Sequence, residues 1–318
     1  TADAIQFASA TTFGGAVALA AGTGDILFSS TLADASRDLT ITSAATVTFV
    51  GNVTLNDLIL PASAATVTFN GTANAFTANV DFLNSGLVTF GNATGDASTF
   101  DAGATFTGGS AVALQGTITT TNDALTFPAA VTLGAASALN TGTGGGNIQF
   151  ATTLDGAQAL TITAGTGAVT FTGVVGGTTR LGTLNIVSAG AVTAAALTLA
   201  AFDQDAGTGT TTFNGAVNTN TAAGVVVANT NLAVNAGVTT TSSGVVTFTQ
   251  SGTTTIAAAG DITADGAVTI TSTGSTTTSG DVTTTADAIQ FASATTLGDG
   301  IALAAGTGDI LFSSTLAD

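Results

Sequence analysis

The chain has 318 residues, of which 45% are hydrophobic, and its 19 Asp and two Arg give a formal net charge of −17. The hydrophobic content excludes disorder caused by low hydrophobicity and high charge, and the acidic balance excludes binding to nucleic acid through its phosphates. Cys and His are absent, which excludes disulfides and thiolate or imidazole metal sites. No apolar run is long enough for a membrane helix, and a composition rich in Ala, Thr, Gly and Val predicts strands joined by tight turns.

The predicted strands recur with a three-residue marker, which consists of an aliphatic residue, a variable residue and Phe. In chain order the marker occurs at Ile5/Phe7, Ile26/Phe28, Val47/Phe49, Val67/Phe69, Val88/Phe90, Leu125/Phe127, Ile148/Phe150, Val169/Phe171, Val246/Phe248, Ile289/Phe291 and Ile310/Phe312. The first five markers are spaced by about 21 residues, and a fixed period of this size indicates a repeat architecture. The regularity lapses after Phe90, Phe127 and Phe213, where the steps to Phe106, Phe150 and Phe248 depart from this period. Short or bulged coils or extruded loops would explain these steps.

A second apolar strand follows each marker after roughly ten residues, as in Ala16–Ala20 and Leu160–Thr163, and Gly, Asn and Asp occupy the turns between strands. Side chains alternate along a strand, so the aliphatic residue and the Phe are expected to point inward and the middle residue outward. The sequence therefore predicts an all-β fold, a parallel β-solenoid (β-helix) with about 21 residues per coil and about 15 coils. We expect one continuous solenoid over residues 1–318, with a length on the order of 70 Å.

In addition to the coil repeat, the sequence contains a longer duplication. Residues 1–34 recur as residues 285–318, with 30 of 34 positions identical at a period of 284. The pairs that differ are Phe13/Leu297, Gly15/Asp299, Ala16/Gly300 and Val17/Ile301. The duplication predicts a fragment of a longer tandem array. The coil after Asp318 should resemble the coil after Asp34, so that the stack continues end to end.

The segments at residues 146–173 and 181–192 (GNIQFATTLDGAQALTITAGTGAVTFTG and LGTLNIVSAGAV) have a distinctive repeat style. It resembles the β-strand repeats of giant secreted bacterial surface proteins of the filamentous-haemagglutinin and autotransporter-adhesin type. The resemblance covers essentially the whole chain. It implies export to the cell surface and a long parallel β-helix that serves as a stalk, adhesin or coat.

The closest pair of carboxylates for acid–base chemistry is Asp203 with Asp205, which alternation places on one face. No His or Lys is available to work with the pair. We therefore expect a solvated surface feature, with a weak Ca²⁺ site as the alternative.

The segment Gly22–Asp25, repeated at Gly306–Asp309, is similar to half of a Gly/Asp-rich Ca²⁺-binding nonapeptide. Each copy stands alone, so a corner turn is the preferred interpretation. We expect no cofactor beyond weak, diffuse Ca²⁺ at the surface.

Outward Thr residues raise the alternative of ice binding, since paired Thr on stacked coils can order water. Thr46/Thr48 and Thr66/Thr68 fit this pattern, but most coils lack the pair. Arg37 and Arg180 are expected to pair with acidic neighbours such as Asp38.

The sequence thus predicts a protein that is not an enzyme, with no catalytic, cofactor-binding or metal-binding residues. The predicted function is a structural repeat of an extracellular bacterial fibre, sheath or adhesin stalk. Its predicted partner is a further copy of itself, end to end, with lateral bundling, and neither nucleic acid nor a transmembrane segment is expected. The alternative is a surface-binding module for ice or glycans.

Overall fold

A computed structural model describes residues 4–298 and 300–317, and the strands in these ranges stack in parallel without any helix. They form a β-solenoid of about 15 coils spaced about 21 residues apart, which confirms the predicted fold class. The chain divides into two compact units, Thr1–Gly165 and Thr166–Asp318. Thr1, Asp299 and Asp318, which take part in the predicted duplication, lie outside the described residues.

The described residues of unit 1 form twenty strands. They are β1 Ile5–Phe7, β2 Val17–Ala20, β3 Asp25–Phe28, β4 Leu32–Ser43, β5 Thr46–Phe49, β6 Val53–Ile59, β7 Thr66–Phe69, β8 Ala73–Phe76, β9 Val80–Asp81, β10 Val88–Phe90, β11 Ala97–Phe100, β12 Ala104–Thr105, β13 Val112–Leu114, β14 Thr117–Thr120, β15 Leu125–Phe127, β16 Val131–Leu133, β17 Ser137–Asn140, β18 Ile148–Phe150, β19 Leu154–Asp155 and β20 Leu160–Thr163.

Each coil of unit 1 contributes to three faces, one more than the two strands per coil that the sequence pattern indicates. The first face is β1, β3, β5, β7, β10, β13, β16 and β19 in hydrogen-bonded order. The second contains the beginnings of β4 and β6 and then β8, β11, β14, β17 and β20, and the third contains β2, the ends of β4 and β6, and then β9, β12, β15 and β18. All these pairings are parallel, so backbone hydrogen bonds join each coil to the next.

The core of unit 1 is a ladder of stacked Phe rings, which confirms the inward direction of the marker residues. Phe28, Phe49 and Phe69 are buried, and successive ring centroids are 5.1 and 5.2 Å apart with nearly parallel planes. Stacking of this kind adds stabilisation of about 0.5–1.5 kcal/mol per pair beyond the area that is buried.

The irregular step from Phe90 to Phe106 is a change of face, so of the alternatives left open by the sequence a short coil does not apply there. Val88 pairs with Val112 in the next coil, so this coil is longer than the usual period. Phe106 instead stacks on Phe82 at 4.9 Å, on another side of the core. The ladder therefore moves between faces while the coil stack continues.

The step from Phe213 to Phe248 is likewise a change of face, whereas the step from Phe127 to Phe150 is a longer coil. Phe213 lies on a different face from Phe248, and each pairs with residues other than Phe in the neighbouring coils. Phe127 pairs directly with Phe150 in the next coil, so this step is a true variation in coil length.

In unit 2 the residues that the structure describes form a further twenty strands. They are β21 Val169–Phe171, β22 Leu181–Ser188, β23 Val192–Ala194, β24 Leu197–Gln204, β25 Thr210–Phe213, β26 Val217–Thr219, β27 Val225–Asn229, β28 Asn231–Val234, β29 Val238–Thr240, β30 Val246–Gln250, β31 Thr254–Ile256, β32 Ile262–Ala264, β33 Val268–Ser272, β34 Ser275–Thr278, β35 Val282–Thr284, β36 Ile289–Phe291, β37 Ala294–Leu297, β38 Leu303–Ala304, β39 Ile310–Phe312 and β40 Leu316–Ala317.

Unit 2 also has three faces of parallel strands. Its first face is β21, β23, β25, β28, β31, β34, β37 and β40. The second runs from the beginning of β24 through β26, β29, β32, β35 and β38, and the third from β22 through the end of β24 to β27, β30, β33, β36 and β39. The core is mainly aliphatic, and Phe248 makes no ring contact with the described residues.

Glycine is required at corners where neighbouring coils approach closely. Gly224 has a φ of 62°, a conformation that side chains with a Cβ rarely adopt. A Cβ at this position would also overlap the Val245 carbonyl oxygen of the next coil. The spacing between coils therefore fixes the residue type here.

Candidate functional site

The two predicted carboxylates, Asp203 and Asp205, do lie on the same outward side of the chain. Gln204 stands between them and is buried, whereas Asp203 is half-buried and Asp205 exposed. Burial, and then the nearby charge of Asp205, raises the pKa of the Asp203 carboxyl. Neither carboxyl has an Arg partner among the described residues.

Asp205 borders a shallow, open groove of about 360 Å³ in unit 2. Hydroxyl and amide groups line the same groove, including Asn229, Gln250, Ser251 and Thr273. The groove offers hydrogen-bonding groups on several successive coils, and its lining contains no aromatic side chain. This arrangement can contact a polar surface or a sugar hydroxyl.

The two Arg residues do not pair with Asp as the sequence suggested. Arg180 donates hydrogen bonds to the backbone carbonyls of Leu199 and Asn218 at 2.7 and 3.0 Å and to the Asn218 side chain at 2.8 Å. Arg37 is exposed and forms no ion pair with any other described residue, Asp38 included. Arg180 therefore joins neighbouring coils through hydrogen bonds to backbone carbonyls, a role that the numbers of charged residues in the sequence do not indicate.

Asp38 and Asp57 lie directly opposite each other on neighbouring strands of unit 1. Burial, followed by the charge of Asp38, raises the pKa of the Asp57 carboxyl. Asn56 relieves part of the repulsion by donating a hydrogen bond of 2.7 Å to Asp38. One oxygen of Asp57 is inaccessible and has no hydrogen-bond partner among the described residues, so this pair destabilises the ionised state.

The segments Gly22–Asp25 and Gly306–Asp309 are corner turns, as predicted. In the first, the Gly24 amide donates to the Ala21 carbonyl at 2.8 Å, and in the second Gly308 donates to Ala305 at 2.8 Å. The residues described in the structure include no group of three or more Asp side chains arranged to hold a metal ion.

Outward Thr residues form columns across the coils of unit 2. On its first face the outward column reads Thr170, Thr193, Thr212, Ala233, Thr255, Thr277 and Thr296, in register from one strand to the next. The column is uncharged. Two adjacent coils on the third face each carry an outward pair of Thr residues, Thr247/Thr249 and Thr269/Thr271. The paired arrangement therefore extends over two coils there.

Unit 2 contains a column of buried polar side chains that was not predicted from the sequence. Its members are Gln204, Asn229, Gln250, Ser272 and Ser293 near the ends of third-face strands and Thr211, Thr254, Thr276 and Thr295 on first-face strands. Thr211 donates to Gln204 at 2.6 Å, and Thr254 donates to Gln250 at 2.7 Å. The hydroxyls of Thr254 and Ser272 are 2.8 Å apart. The column therefore hydrogen-bonds coil to coil within the core.

One coil interrupts this column. Leu232 stands in register between Thr211 and Thr254, where the column would otherwise place a hydroxyl. Asn229, in the same coil, donates to the Asn231 carbonyl, but its Oδ1 is buried without a hydrogen-bond partner among the described residues. In the sequence this column is visible as polar residues that recur at the coil spacing. Polar residues with the same spacing are also expected at outward positions, so the sequence alone does not show that these are buried.

The near-identical segments share the register of their marker strands. Ile5 pairs with Ile26 and Ile289 with Ile310, and the following Phe rings stack at 4.5 Å in the first pair of coils and 5.1 Å in the second. Gln6 donates to Ser29 at 3.3 Å, and Gln290 donates to Ser313 at 3.4 Å. The coil interface is thus repeated as well as the sequence.

Comparison with known proteins identifies no relative, since no protein-family model, curated protein or solved structure matches this chain. None of the described residues belongs to a helix that is long and apolar enough to cross a membrane.

Proposed function

We propose that the chain is a non-enzymatic structural repeat of an extracellular bacterial fibre, sheath or adhesin stalk, and that it continues end to end through matching coils. The observation that carries the proposal is the repeated coil interface. Residues 5–29 and 289–313 share their strand register, their stacked Phe pair and their Gln-to-Ser hydrogen bond. A stack whose coils contact only their neighbours can be extended by adding matching coils.

The resemblance to giant secreted bacterial repeat proteins supports the extracellular location. The composition is consistent with this role, because Cys, His and Lys are absent and trypsin would find only two Arg side chains. Antibodies against the chain should label intact cells of the source organism. Labelling that appears only after the cells are permeabilised would contradict the proposed location.

Continuation is tested with two fusions of the chain to itself. In the first, residues 1–284 are followed directly by residues 1–318, so the junction keeps the period of the duplication and the sequence of the natural Thr284–Thr285 step. In the control, residues 1–318 are followed by residues 1–318, which brings the marker Phe residues at the junction much closer together than one coil.

The first fusion should protect its junction from thermolysin and hydrogen exchange as well as residues 285–317 are protected. The control should be cut at its junction, because the coil there cannot stack in register. Equal cleavage of the two junctions would contradict continuation through matching coils.

A surface-binding module for ice or glycans is the second candidate, and the uncharged Thr column of unit 2 favours it. The Thr277→Lys variant would place a charge in the middle of this column. Under this alternative, thermal hysteresis or binding to a glycan array should be measurable and should fall in the variant, whereas a Lys in place of Thr239 on the second face should have no effect.

A further inference from the structure

We propose that the edge formed by β33, β34 and β35 is a docking surface for residues 4–34 of a second copy of this chain. The proposal rests on the proposed end-to-end continuation and specifies which surfaces meet. In one chain this edge is covered by the strands of residues 289–304. The same contacts are available from the near-identical residues at the other end of the sequence.

The edge presents backbone groups on all three faces. On the third face Val268 pairs with Ile289, and the Ala292 amide donates to the Ile270 carbonyl at 2.9 Å. On the second face the Val282 amide donates to the Ala302 carbonyl at 2.9 Å. A coil that docks here therefore completes three parallel sheets at once.

The edge also offers one buried side-chain contact. Thr276 is the member of the polar column that lies on this edge, and its hydroxyl is 2.8 Å from that of Ser293, which is 5% exposed. Ser9 occupies the position equivalent to Ser293 in the first copy of the duplicated sequence. The hydroxyl contact can therefore form with either copy.

Nearly every residue that contacts the edge is the same in both copies. The residues in register with β33, β34 and β35 are Ile289, Gln290, Phe291, Ala294, Thr295, Thr296, Leu297, Leu303 and Ala304. Their equivalents are Ile5, Gln6, Phe7, Ala10, Thr11, Thr12, Phe13, Leu19 and Ala20. Only Leu297 differs, and there a Phe replaces another apolar residue.

The burial of these residues shows what docking would gain. Ile289 and Phe291 are fully buried between two coils, at 0% exposure each. Among the described residues Ile5 and Phe7 pair with one neighbouring coil, and both are partly exposed. Covering them removes apolar surface from water, which stabilises association.

Exchange requires the resident coil to open first. Opening breaks the pairings of this coil with β33, β34 and β35, and such local opening takes less free energy than unfolding of the whole stack. Once residues 289–304 detach, the first coils of another chain can take their place, as in other cases of domain swapping.

The test uses the full chain with its resident coil weakened. Ile289→Asp with Phe291→Asp places charges in a buried position and should open this coil while the preceding coils stay folded. Sedimentation equilibrium should then show a weight-average mass that keeps rising with protein concentration beyond that of two chains, because a head-to-tail contact between two chains leaves one free edge and one free first coil.

A matched variant carries the same two changes together with Ile5→Asp and Phe7→Asp, and it should remain monomeric. Association of the fourfold variant to the same extent would overturn the proposal. So would a monomeric double variant in which hydrogen exchange shows residues 289–304 to be unprotected.

If residues 289–304 of the double variant stay protected from hydrogen exchange, Ala292→Pro opens the same coil by removing the amide that donates to the Ile270 carbonyl. Association of this variant, and its loss when Ile5→Asp and Phe7→Asp are added, then support the proposal, and the opposite results overturn it. Failure here leaves the fusion result unaffected, since a covalent array needs no exchange between chains. The two proposals can therefore fail separately.

Discussion

The stacked Phe rings should stabilise unit 1 more than the burial of their apolar area alone would. Phe49 is stacked between Phe28 and Phe69, whereas Phe248 in unit 2 is equally buried but lies between Val227 and Ile270. Replacement of either Phe by Leu removes similar apolar area and leaves a similar void. Only the Phe49→Leu variant loses ring stacking.

The difference can be worked from the structure. Each stacked pair contributes about 0.5–1.5 kcal/mol beyond burial, and Phe49 takes part in two pairs. Phe49→Leu should therefore cost about 1–3 kcal/mol more than Phe248→Leu, on top of a common packing cost on the order of 1 kcal/mol.

Native-state hydrogen exchange in urea measures this cost locally, at the amides of β5 in one variant and of β30 in the other. A local readout is needed because a long repeat array does not unfold in a single two-state step. Equal costs, within about 0.5 kcal/mol, would show that the stacked geometry adds nothing beyond burial.

Four further outcomes are expected. Because the pKa of Asp57 is raised above its ordinary value, the folded state gains stability as pH falls through the raised pKa; Asp57→Asn should therefore stabilise unit 1 at neutral pH, with a gain that disappears in acid, and a pH-independent effect on urea unfolding would contradict this. Gly224→Ala should cost at least about 1–3 kcal/mol because of its positive φ and the overlap with the Val245 carbonyl, whereas Gly95→Ala, with no atom within 4 Å, should be nearly neutral in the same unfolding experiment. Millimolar Ca²⁺ or moderate salt should screen the net charge of −17 and promote lateral bundling, and light scattering that stays constant would show that charge does not limit contact. No polysaccharide should be turned over, and turnover that vanished on replacing Asp203 would refute this prediction.

The solenoid and its period could be predicted because the marker residues report a buried ladder directly. Phe28, Phe49 and Phe69 recur at the coil spacing, and each follows a buried aliphatic residue by two positions, a pattern that few other folds would produce. The number of faces could not be predicted, since the short strands between markers lack a marker of their own. The ladder also changes face after Phe90, and a sequence period records the coil but not the side on which a ring lies.

Inward Thr residues were the main feature that sequence reasoning missed. Thr141 is fully buried, and its hydroxyl donates to the Gly146 carbonyl at 2.6 Å where the chain turns a corner. Thr276 is likewise fully buried and belongs to the polar column. A hydroxyl satisfied inside the core looks the same in the sequence as one that faces water, so only the register of the strands distinguishes them.

The shared interface of the duplicated segments has a consequence for inheritance. Recombination between the stretches of gene that encode residues 1–34 and 285–318 would add or delete one whole period of the duplication at a time. Because the marker strands of both segments pair in the same register, the product would keep the register from coil to coil. Selection could therefore change the length of the protein in whole periods without having to repair its fold.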